Sequence, residues 1–172
     1  MAAARPVVGI VMGSASDWPS LEPAAALLQE WGIEVEVSVA SAHRSPLKAQ
    51  SYAREAADRG IKIIIAAAGA AAHLAGVLAA ETTLPVIGVP IPSSSLQGLD
   101  SLLSTVQMPA GVPVATMAVG AAGAKNAALL AAQILALSDS RLQEKLKQHK
   151  LELEAKVVEQ NEKIPADFRP KG

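Results

Sequence analysis

Five times along this chain a short apolar run gives way to a small polar loop and then to a helix-forming segment. That alternation constrains the fold more than any other feature. Parallel strands need long crossovers, and crossover helices cover the faces of the sheet they connect. Residues 7–12 (VVGIVM) form the first run, closed by Gly13, and read as a strand buried on both faces. Ser16 or Asp17 is placed to cap the helix that follows, with Pro19 in its first turn. Leu21, Ala24, Ala25, Leu28 and Trp31 recur near helical spacing until Gly32. Val35, Val37 and Val39 mark a second strand, and Pro46 opens a helix that runs to about Arg59 before Gly60. Residues 62–67, 85–89 and 114–119 supply three more strands, followed by a helix ending at Glu81, a short helix after Ser95, and an Ala-rich helix over 124–136. The expected fold is α/β, with a central parallel sheet between helical layers.

Residues 139–163 break the pattern. They are charged, free of Gly and Pro, and carry Leu142, Leu146, Leu153 and Val157 along one stripe. Pairs such as Glu152–Lys156 and Glu159–Lys163 support a solvated helix face. The apolar stripe is too narrow for an independent helix, so the segment is expected to pack on the body or on another subunit. The chain of 172 residues is expected to be one domain, with a core over 6–137, this helix, and a loose tail over 165–172.

Composition removes several functions. A formal charge of −1 and only four aromatic residues offer neither an electrostatic footprint nor stacking platforms for nucleic acid, and no anionic membrane surface is favoured. With no cysteine, disulfides and thiolate metal sites are excluded, and three dispersed histidines make a poor metal site. The start of the chain lacks the basic and apolar regions of a signal peptide, and no apolar stretch is long enough to span a bilayer. A cytoplasmic protein is expected.

In an open parallel sheet, ligands gather at the carboxyl ends of the strands. Four loops fall there: residues 13–17, 41–46, 69–73 and 93–95. The first, GSASD, is neither a dinucleotide fingerprint nor a Walker loop, but its small residues at a helix start can expose N–H groups to an anion. Asp17 repels a free phosphate yet suits the paired hydroxyls of a ribose. A simple helix cap explains the same residues. In the second loop His43 stands beside Arg44. Imidazole exchanges a proton near neutral pH, and guanidinium is a natural fork for phosphate or carboxylate. Arg44 is the one arginine of six in such a loop. Surface residues capping the next helix are the plain alternative. His73, alone among alanines, is by itself more often structural than a ligand, and His149 lies on the charged helix.

Together the loops resemble those of the bacterial class I N5-carboxyaminoimidazole ribonucleotide mutases of purine synthesis. The resemblance runs from Val8 to about Leu137 through MGS at 12–14, SDW at 16–18, SAHR at 41–44, AAHL at 71–74, LPVIGVP at 84–90, DSL at 100–102, VQMP at 106–109 and NAALLAA at 126–132. It implies a flavodoxin-like three-layer fold, a homo-octamer whose C-terminal helix reaches a neighbouring subunit, a small ribonucleotide substrate, and no metal or organic cofactor. It implies His43 as general acid/base, Arg44 on the substrate phosphate, and Ser14, Ser16 and Asp17 as substrate-binding residues. Ser41, Gly69, His73 and Leu74 would complete the pocket.

The class II relatives, which carboxylate aminoimidazole ribonucleotide directly, resemble this chain less. Their pattern has Lys in place of Arg44 and Arg-Ser-Asn in place of Ala71-Ala72-His73. Class I members in turn commonly carry Gly where this chain has Ala70 and Ala115, and Pro where it has Ala75. A methyl at Ala70 would crowd the pocket if that residue needs positive φ. Two further readings stay open: a non-catalytic nucleotide-binding module, which has no need of a titrating group at His43, and a structural oligomer-former, which leaves the polar loop residues unexplained.

Overall fold

The structure is a computed structural model that describes residues 5–169. Strands β1 (Val8–Met12), β2 (Val35–Val39), β3 (Ile63–Gly69), β4 (Val86–Ile91) and β5 (Ala115–Thr116) form one all-parallel sheet in the order β2-β1-β3-β4-β5. This is the flavodoxin-like strand order, with the reversal at β1/β3. Helices α1 (Trp18–Glu30), α2 (Pro46–Arg59), α3 (Leu74–Glu81), α4 (Leu99–Val106) and α5 (Ala121–Ala136) follow the strands in turn. Residues up to Ala131 make one compact unit.

Strand periodicity sorts the sheet into two faces. Val11, Ile64, Ala66 and Val86 pack with α2 and α3. The alternate residues Ile10, Ile63, Ile65 and Ala67 are equally inaccessible, and the sheet has helices on both sides. Alanine makes this close. The buried row of α2 is Ala49, Ala53 and Ala56, which lets its backbone approach the strands. At Gly9 the approach is so tight that a Cβ would overlap the Tyr52 hydroxyl, itself buried without a hydrogen bond among the described residues.

Local chemistry sets the element ends. α2 starts at Pro46, where a missing N–H costs nothing, and stops at Gly60 in the left-handed region, φ +100°. α1 ends with Trp31 as its cap residue, and Ile33 N–H closes the turn on Leu28 O at 2.9 Å. Its start differs from the sequence expectation. Neither Ser16 nor Asp17 caps α1 through its side chain. Instead Ser14 caps a 3-10 turn over Ala15–Asp17 that leads into the helix.

The fifth strand is also shorter than expected, two residues in place of 114–119. Its neighbour explains this. Pro90 of β4 brings no N–H to the ladder, and its carbonyl accepts from Gly120 N at 2.8 Å, so the chain leaves regular pairing after Thr116.

Helix α4 is inverted. Its buried side chains are Ser101 and Thr105, whose hydroxyls are satisfied by backbone carbonyls. Leu99, Leu103 and Val106, with Leu96 just before the helix, are each about half exposed or more.

The second unit, residues 132–169, contains helix α6 (Ser140–Glu162), capped by Asp139, whose carboxylate accepts from Arg141 N and Leu142 N. Leu142 is buried, while Leu151, Leu153, Val157 and Val158 are exposed. The expected loose tail begins instead as a 3-10 turn over Ala166–Phe168, tied by Arg169 Nε to Ile164 O at 2.8 Å. Its last residues, 170–172, lie outside the described residues.

Candidate active site

The loops after β1, β2 and β3 meet where the strand order reverses. They enclose a cleft of about 280 Å³ lined by Gly13, Ser14, Ser16 and Asp17, by Ser41 to Arg44, by Ala68, Gly69, Ala71, His73 and Leu74, and by Ser93. All nine residues singled out in the sequence — Ser14, Ser16, Asp17, Ser41, His43, Arg44, Gly69, His73 and Leu74 — lie in this one cleft.

Each loop is fixed from within. The Ser14 hydroxyl accepts from Ser16 N at 3.3 Å and from the Ser16 hydroxyl at 2.8 Å. Asp17 N–H bonds Ser14 O, and this turn draws the Asp17 side chain inward to 7% exposure. Burial pushes the Asp17 carboxyl above its usual range, opposed by the Ser14 backbone, the Ser16 hydroxyl and the Arg44 guanidinium. The second loop closes through Ser45, whose N–H bonds Ser41 O at 2.9 Å and whose hydroxyl accepts from Ser41 N at 2.9 Å. Arg44 ties the two loops together, donating from Nη2 to Gly13 O at 2.9 Å and from Nε to Ser41 Oγ at 3.5 Å. Five N–H donors in a planar fork leave further bonds for an anion.

The third loop brings the second histidine. His43 Nε2 and His73 Nδ1 lie 2.8 Å apart, with ring planes at 85°. Neighbouring Gly69 allows β3 and β4 to converge: a Cβ there would overlap the Ser93 hydroxyl and stand 2.6 Å from Ser93 Cβ. Next to it Ala70 takes φ +53°, the left-handed region, with its methyl exposed and outside the cleft lining. Ala75 and Ala115 are outside the lining too. Among the described residues no group of His, Asp and Glu could hold a metal ion, and no helix is long and apolar enough to cross a membrane.

Sequence reasoning placed Ser93 on the ligand edge without assigning it to the site. Its link to Gly69 depends on β3 and β4 being neighbours. Ser45, which locks the histidine loop, carried no separate signal.

Comparison with known proteins agrees with this geometry. The AIR carboxylase family model matches residues 7–156. The chain is 53% identical to the N5-carboxyaminoimidazole ribonucleotide mutase of Bacillus subtilis, over 93% of this chain and 99% of that protein. It is 51% identical to the enzyme of the same name from Pyrococcus horikoshii, over 95% and 92%. Among solved structures, Treponema denticola PurE superposes with a TM-score of 0.82 at 34% identity, covering 94% of this chain and 99% of that one. The chain therefore belongs to the AIR carboxylase family.

Proposed function

We propose that this chain converts N5-carboxyaminoimidazole ribonucleotide to 4-carboxy-5-aminoimidazole ribonucleotide, a mutase step of purine (IMP) synthesis. The observation that carries this reading is the convergence of an acid/base histidine, an arginine fork and a Ser/Asp turn in one cleft at the strand-order reversal. Relatives named for that reaction, more than half identical over nearly the whole chain, support the substrate.

Asp17 accepts from the ribose hydroxyls, with Ser14 and Ser16 beside it, and Arg44 takes the phosphate. Ser41, Gly69, His73 and Leu74 shape the pocket. The carboxylate leaves the exocyclic nitrogen as CO₂ while that nitrogen takes a proton from the His43 imidazolium. Ring-carbon electrons then bond the CO₂, and the proton on that carbon passes to neutral His43, restoring the aromatic ring. Ala42, Ala68, Gly69 and Ala71 give a small, weakly polar lining for the CO₂ between the two steps. The exchange balances without an oxidant, a reductant or a nucleotide.

The assembly in this reading is a cytoplasmic homo-octamer. The leucine row on α4 supports it, since a helix with polar residues inside and Leu96, Leu99, Leu103 and Val106 outside has its apolar face prepared for another chain.

The test is conversion of N5-carboxyaminoimidazole ribonucleotide by purified protein, with His43→Asn alongside. Rapid turnover without added bicarbonate, abolished in the variant, is expected. The family description, AIR carboxylase, favours one second reading: direct carboxylation of aminoimidazole ribonucleotide. Product from that substrate plus bicarbonate, with no mutase activity, would establish it instead.

A further inference from the structure

We propose that Ser45 is a positioning residue for His43: its hydroxyl bonds the backbone of Ser41 instead of capping helix α2, and so holds the turn that carries the imidazole. The inference deepens the mutase reading and rests on it for the proton-transfer role of His43.

Ser45 is the N-cap residue of α2. A serine there ordinarily accepts a hydrogen bond from an N–H in the first helical turn. Here the side chain makes no such bond. Pro46 has no N–H to offer, and Leu47 and Lys48 are exposed, so their N–H groups are left to water. The Ser45 hydroxyl turns back the other way. Its oxygen accepts from Ser41 N at 2.9 Å, and it donates to Ser41 O at 3.2 Å. The N–H of Ser45 reaches the same carbonyl at 2.9 Å. Residues 41–45 are thus a closed turn, bonded from last residue to first, with His43 in the middle.

The two ends of the turn are pinned by the fold. Ala40 N bonds Met12 O at 2.9 Å just before it, and Ala49 N bonds Ser45 O at 3.2 Å just after it. Arg44 has a hold of its own on the first loop through Gly13 O. Among the described residues no hydrogen bond reaches the main chain of Ala42 or His43. The ring of His43 meets His73 at its far end, but the place from which that ring starts is set by the closure at Ser45. Proton transfer to and from substrate depends on that place, since a displacement of about 1 Å costs rate steeply. Without the Ser45 hydroxyl, Ser41 N loses its partner and the turn is tied by one bond only. Alanine at this position removes no helix cap, because the serine supplies none. The effect falls on the turn alone.

The experiment compares Ser45→Ala with Ser45→Thr, which keeps the hydroxyl, in the full chain. Alanine is expected to lower kcat for the mutase substrate by about 10–100-fold. KM should stay within about threefold, because Arg44 retains its tie to Gly13. Threonine should hold both constants within about threefold of wild type. The alanine variant should melt within about 5 °C of wild type, as the loss of one hydrogen bond implies. Amide hydrogen exchange reads the turn directly. Ser41 N–H is expected to be protected in the wild-type and threonine proteins and to exchange about tenfold faster with alanine, while the α2 amides from Ala49 onward are unchanged. Wild-type turnover in the alanine variant overturns the proposal, and so does a raised KM at unchanged kcat, which gives the turn to binding alone. Loss of protection along α2 overturns it as well, since Ser45 would then be a helix cap, and so does an unprotected Ser41 amide in the wild-type protein. If the wild-type protein converts no mutase substrate, the functional reading fails separately, and the exchange rates still decide whether Ser45 holds the turn.

Discussion

Replacing Ala70 by glycine should make this protein more stable and leave its turnover almost untouched. Ala70 sits at φ +53°, where an L-residue carries a steric cost of about 1–2 kcal/mol because Cβ crowds the backbone carbonyl. The methyl is exposed, so its removal forfeits no buried area. Against the relief stands the greater freedom of glycine in the unfolded chain, about 0.4–1 kcal/mol. The difference is a gain of about 0–1.6 kcal/mol, whose midpoint of about 0.8 kcal/mol raises Tm by roughly 2–3 °C in a chain of this size. Urea unfolding at one fixed protein concentration measures it, with the slope checked for constancy between the two proteins. Because Ala70 is absent from the cleft lining, kcat should stay within about twofold of wild type. The adjacent substitution, Gly69→Ala, must have the opposite sign, since its Cβ has nowhere to go but into Ser93. If Ala70→Gly lowers the urea midpoint, the positive φ stores no strain and the argument is wrong.

Other perturbations test separate parts of the structure. Asp17→Asn should weaken binding of the ribonucleotide about 10–100-fold by removing a charged acceptor, measured by calorimetry. The same change should stabilise the empty protein at neutral pH. A carboxyl raised by burial favours the fold while protonated, so its contribution is present below the unfolded pKa of 3.8 and is lost as pH rises through the higher folded value. Equal stability of the two proteins across that window would refute the assignment. Tyr52→Phe removes a buried hydroxyl that no partner meets in good hydrogen-bond geometry and that has only the nearby Glu36 and Arg59 to interact with, and should raise stability by less than about 1 kcal/mol, measured by urea unfolding. Gly9→Ala should cost about 1–3 kcal/mol by overpacking against that hydroxyl, with most of it recovered in the double variant; an additive cycle would contradict the contact. Leu103→Glu on the exposed row of α4 should dissociate the proposed octamer in sedimentation, whereas an unchanged particle would move the interface elsewhere.

Pro46, Gly60 and Gly32 punctuate their helices by backbone geometry alone, so those boundaries were legible without a third dimension. The cleft was legible for a related reason: a parallel sheet gathers its functional loops at one edge, and the polar residues of this chain concentrate there. Pairing across elements was less visible. The run 114–119 looks like a strand until Pro90 is seen beside it. No motif or spacing brings His73 to His43; only the family resemblance put both in one pocket, since the meeting depends on β1 standing between the strands that carry their loops. By itself His73 looked structural. The outward face of α4 carried no sequence signal of its own, for an apolar row at helical spacing is what a core-facing side also shows, and here that side faces outward.

Both tryptophans of the chain mark the ends of α1, Trp18 opening it and Trp31 capping it. Trp18 follows directly on Asp17 and is half-buried; Trp31 is buried. The intrinsic emission of this protein is therefore a local report, and with one tyrosine elsewhere little else contributes to it. A shift on adding ribonucleotide registers the Ser14–Asp17 turn through Trp18, and a red shift in denaturant registers the loss of packing around one helix. Unfolding followed by fluorescence thus dates the departure of α1, while circular dichroism averages over six helices, and any gap between the two curves measures how far the first crossover can detach before the rest.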